Sequence, residues 1–106
     1  MQIFNHCMYE YEKGLRNLIL YHATTDELDC LITKLNRKNI TYCIYEQDNK
    51  KVKVFFGQAI CVDIIKAIGK NRIEDYTEEQ KFLLGIMLGY ECLKQCHLFL
   101  EETKIG

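Results

Sequence analysis

Cysteine and histidine are the residues of this chain best suited to chemistry. The sequence has six cysteines and three histidines. Two places bring them close together: Cys92 and Cys96, which precede His97, and the pair His6-Cys7. On a helix, Cβ atoms four residues apart are separated by about 5–6 Å, whereas a disulfide needs about 3.5–4.5 Å. Thiolates converge more easily on zinc, at about 2.3 Å. One hypothesis is therefore a thiol-based redox or metal site built from these two groups.

Little else in the sequence supports a catalytic site. The cysteines form no paired Cys-x-x-Cys signature, and His97 does not share the helix face of Cys92 and Cys96. The chain contains no serine, which excludes a serine nucleophile. We predict that most cysteines are free thiols packed as small apolar residues. We assign no catalytic residue and no cofactor, and the pattern favours a protein that is not an enzyme.

The strongest local pattern is a stripe of small residues within the apolar segment from Phe82 to Leu100. Gly85, Gly89, Cys92 and Cys96 follow one another at spacings of four, three and four residues. In one continuous helix they would share a face. A glycine inside a helix costs about 1 kcal/mol relative to alanine. That cost predicts a close approach to this face by the sheet, a second subunit or a ligand.

The same predicted helix has a polar side only in its second half. The stripe that carries Glu91 and Gln95 passes, in the first half, through Leu84 and Leu88. A helix that is apolar all round is buried all round. Leu84 and Leu88 must therefore be covered either by the rest of the chain or by a second subunit. We predict a second subunit in a two-fold homodimer. The predicted interface residues are Leu84, Gly85, Leu88, Gly89 and Tyr90.

Hydrophobic periodicity and turn residues predict the order strand, strand, helix, strand, strand, helix, helix. The predicted strands are residues 2–11, 16–22, 40–46 and 51–56, with Lys51 and Lys53 facing solvent. The predicted helices begin after Thr24, near Gln58 and after Thr77, and the second ends at Gly69. We predict a single α+β domain over residues 1–106. Its architecture is a two-layer sandwich with an antiparallel sheet of about four strands and two to three helices on one face, ferredoxin-like in part.

Charge and hydropathy exclude two classes of partner. The formal net charge is −1, with 14 basic and 15 acidic residues. The lysines form no basic face, so we predict no nucleic-acid binding. The longest uncharged run near the end, residues 82–90, is far shorter than the ~20 residues of a membrane span. The first residues also lack the features of a signal peptide, and we predict a cytoplasmic protein without membrane contact.

Three segments together resemble a short bacterial family known only as a domain of unknown function. They are Lys13-Gly-Leu-Arg-Asn-Leu18, Val54-Phe-Phe-Gly57 and the block from Thr77 to Glu91 that contains Met87-Leu-Gly-Tyr90. The chain departs from the pattern at Glu78, where proline is expected, and at Lys81, where aspartate is expected. The resemblance implies no reaction. It implies an association with flavodoxin-like electron carriers, which would make such a carrier a partner. We predict a non-enzymatic, dimeric interaction or regulatory module.

Overall fold

The computed structural model describes residues 2–47, 49–89 and 92–105. Within them the chain forms five α-helices, three strands and a 3-10 turn at Ile73–Asp75. In chain order the elements are α1 (Gln2–Glu12), β1 (Leu18–Thr24), α2 (Thr25–Arg37), β2 (Thr41–Glu46), β3 (Lys51–Gly57), α3 (Ala59–Ile68), α4 (Glu78–Leu88) and α5 (Cys92–Ile105). The α+β class is confirmed. In the described residues no helix is both long and apolar enough to cross a membrane.

The sheet has the strand order β1-β3-β2, and both neighbouring pairs are antiparallel. The strand that comes last in sequence is therefore the central one. Among the described residues the sheet has three strands rather than about four, and the strand predicted at 16–22 lies at one edge. The hairpin predicted over residues 40–56 is present as β2 and β3. The ferredoxin-like arrangement is not confirmed.

Helices cover both faces of the sheet, which corrects the prediction of a single helical layer. Successive strand residues point to opposite faces. On β3, Val52, Val54 and Phe56 belong to a core with residues of α1 and α2, whereas Phe55 belongs to a second core with residues of α3 and α4. The run of apolar residues at 54–56 is thus buried on both sides. The result is three layers, with the sheet in the middle.

Residues 2–12 form a helix, so the predicted first strand is wrong. Phe4 and Met8, four residues apart, are both buried against the sheet. Phe4 packs edge-on to Tyr21 of β1, with ring centroids 5.3 Å apart, and lies 5.4 Å from the ring of Phe56 on β3. This spacing of four is helical. The aromatic and branched composition of the segment favoured a strand, but tertiary packing decided otherwise.

The predicted long terminal helix is interrupted at Gly89. This residue ends α4 in an extended conformation, with φ −70° and ψ 159°, and α5 begins at Cys92. Gly85 therefore lies on one helix and the pair Cys92 and Cys96 on another, so the small residues do not form one continuous stripe. Tyr90, a predicted interface residue, lies outside the described residues.

The predicted helix boundaries are confirmed where side-chain capping defines them. At the start of α2, the backbone N–H of Thr24 donates to the Glu27 carboxylate at 3.1 Å. At the start of α4, the Thr77 hydroxyl accepts from the Gln80 N–H at 3.1 Å, and the Gln80 side chain accepts from the Thr77 N–H at 2.9 Å. These reciprocal bonds satisfy N–H groups that have no partner within the helix.

Candidate functional site

The cysteines divide into a sheltered group and an exposed group. Cys7, Cys43 and Cys61 are buried or half-buried. Burial raises the pKa of each of these thiols, and at Cys7 the neighbouring Glu10 carboxylate adds to the effect. Cys30, Cys92 and Cys96 are exposed. Because the thiolate is the reactive form, the sheltered cysteines are poor nucleophiles and act as core residues.

The described residues do not bring the predicted metal ligands, His6, Cys7, Cys92 and Cys96, together in one cluster. His6 lies on the exposed side of α1, where its Nε2 is 3.8 Å from the Glu10 carboxylate. Cys7 packs against the core on the α1–α2 face. In the portion of the chain that the structure describes, no three His, Cys, Asp or Glu side chains are grouped so that they could hold an ion. Cys92 and Cys96 remain an exposed pair on α5.

The predicted interface residues of α4 lie partly inside the protein. Leu84 is 4% exposed and belongs, with Met87, to the core on the α3–α4 face of the sheet. Leu88 is half-buried against the same core. Gly85 and Gly89 are exposed on the other side of the helix. The apolar side chains on the solvent side are therefore different from those predicted.

The exposed apolar residues of α4 are Phe82, Leu83 and Ile86, with 73%, 37% and 60% of their surfaces accessible. Phe82 and Ile86 are four residues apart and share a face with Gly85 and Gly89. We call this surface the α4 apolar face. Apart from its two chain neighbours and the backbone of its own helix, no atom of the described residues lies within 4 Å of a Cβ atom placed on Gly85. The open space opposite Gly85 shows that the sheet does not make the predicted close approach.

The chain that carries this exposed apolar helix face and these free thiols matches a known protein family. The sequence profile of the family described as "protein of unknown function (DUF2023)" matches residues 2–102, nearly the whole chain. The chain belongs to this family. The predicted membership in a family of unknown function is thereby confirmed, and the DUF2023 description names no reaction or ligand. A search of curated proteins found no match.

The exposed thiols of this DUF2023 chain should react much faster than the sheltered ones. We expect Cys30, Cys92 and Cys96 to be modified first by a disulfide reagent at pH 8, and the remaining three to react at least about tenfold more slowly. Two causes slow the reaction at Cys7, Cys43 and Cys61: the reagent reaches these thiols less easily, and burial raises their pKa values. Mass spectrometry of peptides at successive times would measure each rate. Equal rates at all six cysteines would contradict the burial described above.

Sequence reasoning missed two features of this DUF2023 chain. It placed the interface on Leu84 and Leu88 because it assumed one long helix, whereas the exposed apolar residues Phe82 and Ile86 lie two positions earlier in each case. It also predicted that Lys53 faces solvent, but the side chain is 4% exposed. The available signal was Phe55, which is two residues further along the strand and points to the same face as Lys53. An aromatic residue there indicates that this face is covered too.

Proposed function

We propose that this protein is a non-enzymatic interaction module that self-associates as a homodimer through the α4 apolar face. The observation that carries the proposal is the exposure of Phe82 and Ile86 one helical turn apart. Single exposed apolar residues are common on soluble proteins. A large aromatic and a branched residue together on one helix face are more typical of an interaction surface.

Gly85 supports the same surface. A glycine inside a helix costs about 1 kcal/mol relative to alanine. Among the described residues no neighbouring element packs against Gly85 to account for that cost, because the space beyond it is open. A second helix packed against Gly85 could approach the backbone closely. The flanking Phe82 and Ile86 would then meet that helix on either side.

A second copy of this chain is the occupant that fits best. In a two-fold arrangement, Phe82 of each copy can fill the space over Gly85 of the other, so one surface supplies both the projection and the groove. The three apolar side chains would bury about 100 Å² each, or roughly 300 Å² per subunit, compared with about 800 Å² in a stable interface. The area predicts a weak dimer, which Leu93, Phe99 and Leu100, exposed on α5, could extend.

Matched substitutions test the proposal. We expect the wild-type protein to dimerise with a dissociation constant in the micromolar range, on the order of 10 μM. Ile86→Asp should weaken dimerisation at least about tenfold, since a carboxylate would be buried without a partner. Ile3→Asp is the control, because Ile3 is 71% exposed but lies on α1, across the sheet. Sedimentation velocity over a series of concentrations measures both.

Two results would refute the homodimer. One is a wild-type protein that remains monomeric at about 1 mM. The other is an equal loss of association in the Ile3→Asp variant, which would show that the α4 apolar face has no special role. A flavodoxin-like carrier, the partner implied by the family resemblance, can be added in the same measurement. Binding of the carrier at this face predicts a complex that the Ile86→Asp variant does not form.

The thiol-based alternative rests on the exposure of Cys92 and Cys96. These residues lie one turn apart on α5, at a spacing longer than a disulfide spans, so oxidation would link two copies more easily than one. Serine at both positions would leave dimerisation under reducing conditions unchanged if the α4 apolar face is responsible. A dimer that forms only without reductant, and that the variant with serine at both positions does not form, would favour the thiol-based function instead.

A further inference from the structure

A lysine is buried in the central strand, where a charged amine is costly. Lys53 lies on β3, directly opposite His22 of β1 and Tyr45 of β2 in the strand register. The three residues form one row across the sheet on the α3–α4 face. Aromatic and aliphatic residues fill the next row towards the core, at Phe55 and Leu20. Lys53 therefore sits where the apolar core ends.

Lys53 has a hydrogen-bond acceptor but no counter-charge in contact. Its Nζ donates to the backbone carbonyl of Asn71, and the Asn71 side-chain amide donates to the Glu46 carbonyl oxygen at 2.9 Å. Across residues 2–47, 49–89 and 92–105, Lys53 forms no ion pair. An ammonium group has three donors, so one carbonyl satisfies it only in part. Burial lowers the pKa of Lys53, and the Glu74 carboxylate opposes this in part.

The space beside Lys53 is a cleft of about 580 Å³. This volume is within the range of about 300–1,000 Å³ that small-molecule sites occupy. His22 and Glu46 line it from the sheet, and Arg72, Ile73 and Glu74 line it from the connection between α3 and α4. Arg72 is mostly exposed, and its Nε lies 3.5 Å from the Glu74 carboxylate. The cleft thus has a buried cation, an exposed cation and one apolar side chain.

We propose that this cleft binds a small molecule with one oxyanion group, with Lys53 as its buried contact and Arg72 as its exposed contact. The oxyanion supplies the counter-charge that Lys53 lacks, and hydrogen bonds between charged groups are about twice as strong as those between neutral ones. Glu46 and Glu74, also on the walls, repel polyanions and so limit the ligand to one anionic group. Ile73 offers an apolar contact to the remainder of the ligand.

The test uses inorganic sulfate and pyruvate as probes, since both remain ionised across the neutral pH range. We expect saturable shifts of the amide resonances around Lys53 and Arg72, with dissociation constants of about 1 mM. Lys53→Met keeps the length of the side chain and removes the charge, so it should weaken binding at least about tenfold. Lys51→Met is the control, because Lys51 is an exposed lysine on the same strand. Tighter binding of pyruvate than of sulfate would identify an organic carboxylate as the ligand.

A measurement on the wild-type protein keeps the proposal testable if Lys53→Met does not fold. An anion that binds the charged amine must raise the Lys53 pKa, which the ¹³Cε resonance reports when the protein is titrated with and without sulfate. The other titratable or charged groups near the cleft are His22, Tyr45, Glu46, Arg72 and Glu74. An unchanged Lys53 pKa, no saturable binding below about 50 mM, or equal binding by Lys53→Met would overturn the proposal.

Discussion

Gly57→Ala is expected to destabilise the protein by about 3 kcal/mol or more, a large share of the total for one domain. Gly57 ends β3 with φ +146°, a conformation that residues with a Cβ rarely adopt. An added Cβ would overlap the carbonyl oxygen of Asn17 and lie 3.1 Å from the Leu18 Cα. That carbonyl accepts a hydrogen bond from the Gln58 N–H at 2.9 Å, so it is not free to move away. Urea unfolding measures the loss.

Gly85→Ala is the matched control for this substitution. Gly85 lies inside α4, and the space where a Cβ would project is open. Alanine there should stabilise the helix by up to about 1 kcal/mol. Unfolding must be followed in dilute protein, so that dimerisation does not contribute. Equal effects of the two substitutions would contradict the close approach of the chain at Gly57.

Phe4→Ala should cost about 3–5 kcal/mol, since it removes a fully buried aromatic ring from the core. Phe4 is 0% exposed and contacts the rings of Tyr21 and Phe56. Phe4 therefore packs α1 against both β1 and β3. The midpoint of thermal unfolding should fall by roughly 12 °C or more, at about 4 °C per kcal/mol for a domain of this size.

Ile3→Ala provides the comparison within the same helix. Ile3 precedes Phe4 directly but projects into solvent. Its loss should change the free energy of unfolding by no more than about 0.5 kcal/mol. A small effect at Phe4, or a large one at Ile3, would mean that α1 does not pack against the sheet through the face described here.

Local signals predicted several elements well. Thr24 and Glu27, and again Thr77 and Gln80, satisfy backbone groups at helix starts, and both pairs form the expected bonds. Gly69 ends α3 in the left-handed conformation, with φ 65°. These features depend on residues within a few positions of one another. For that reason a single sequence suffices to find them.

The errors arose where distant parts of the chain decide the outcome. The segment 2–12 has a strand-like composition, and only its packing on β1 and β3 shows that Phe4 and Met8 share a helical face. Lys53 alternates with the apolar residues Val52 and Val54, as an exposed strand residue would, but α3 and α4 cover that face as well. At the candidate site, the break at Gly89 changed which residues of the last segment face solvent. Residues close by in the sequence carry no information on such long-range arrangements.

The strand order has a consequence for the order of folding. In the part of the chain that the structure describes, β1 and β2 do not pair with each other, and each pairs with β3, the last of the three strands to be made. The hairpin of β2 and β3 is local and can form quickly, whereas β1 must join it through pairs as distant in sequence as Leu18 and Gly57. On the ribosome, β1 and α2 therefore emerge without a strand partner. The sheet is completed only after residue 57 leaves the exit tunnel, so until then β1 has no strand to pair with.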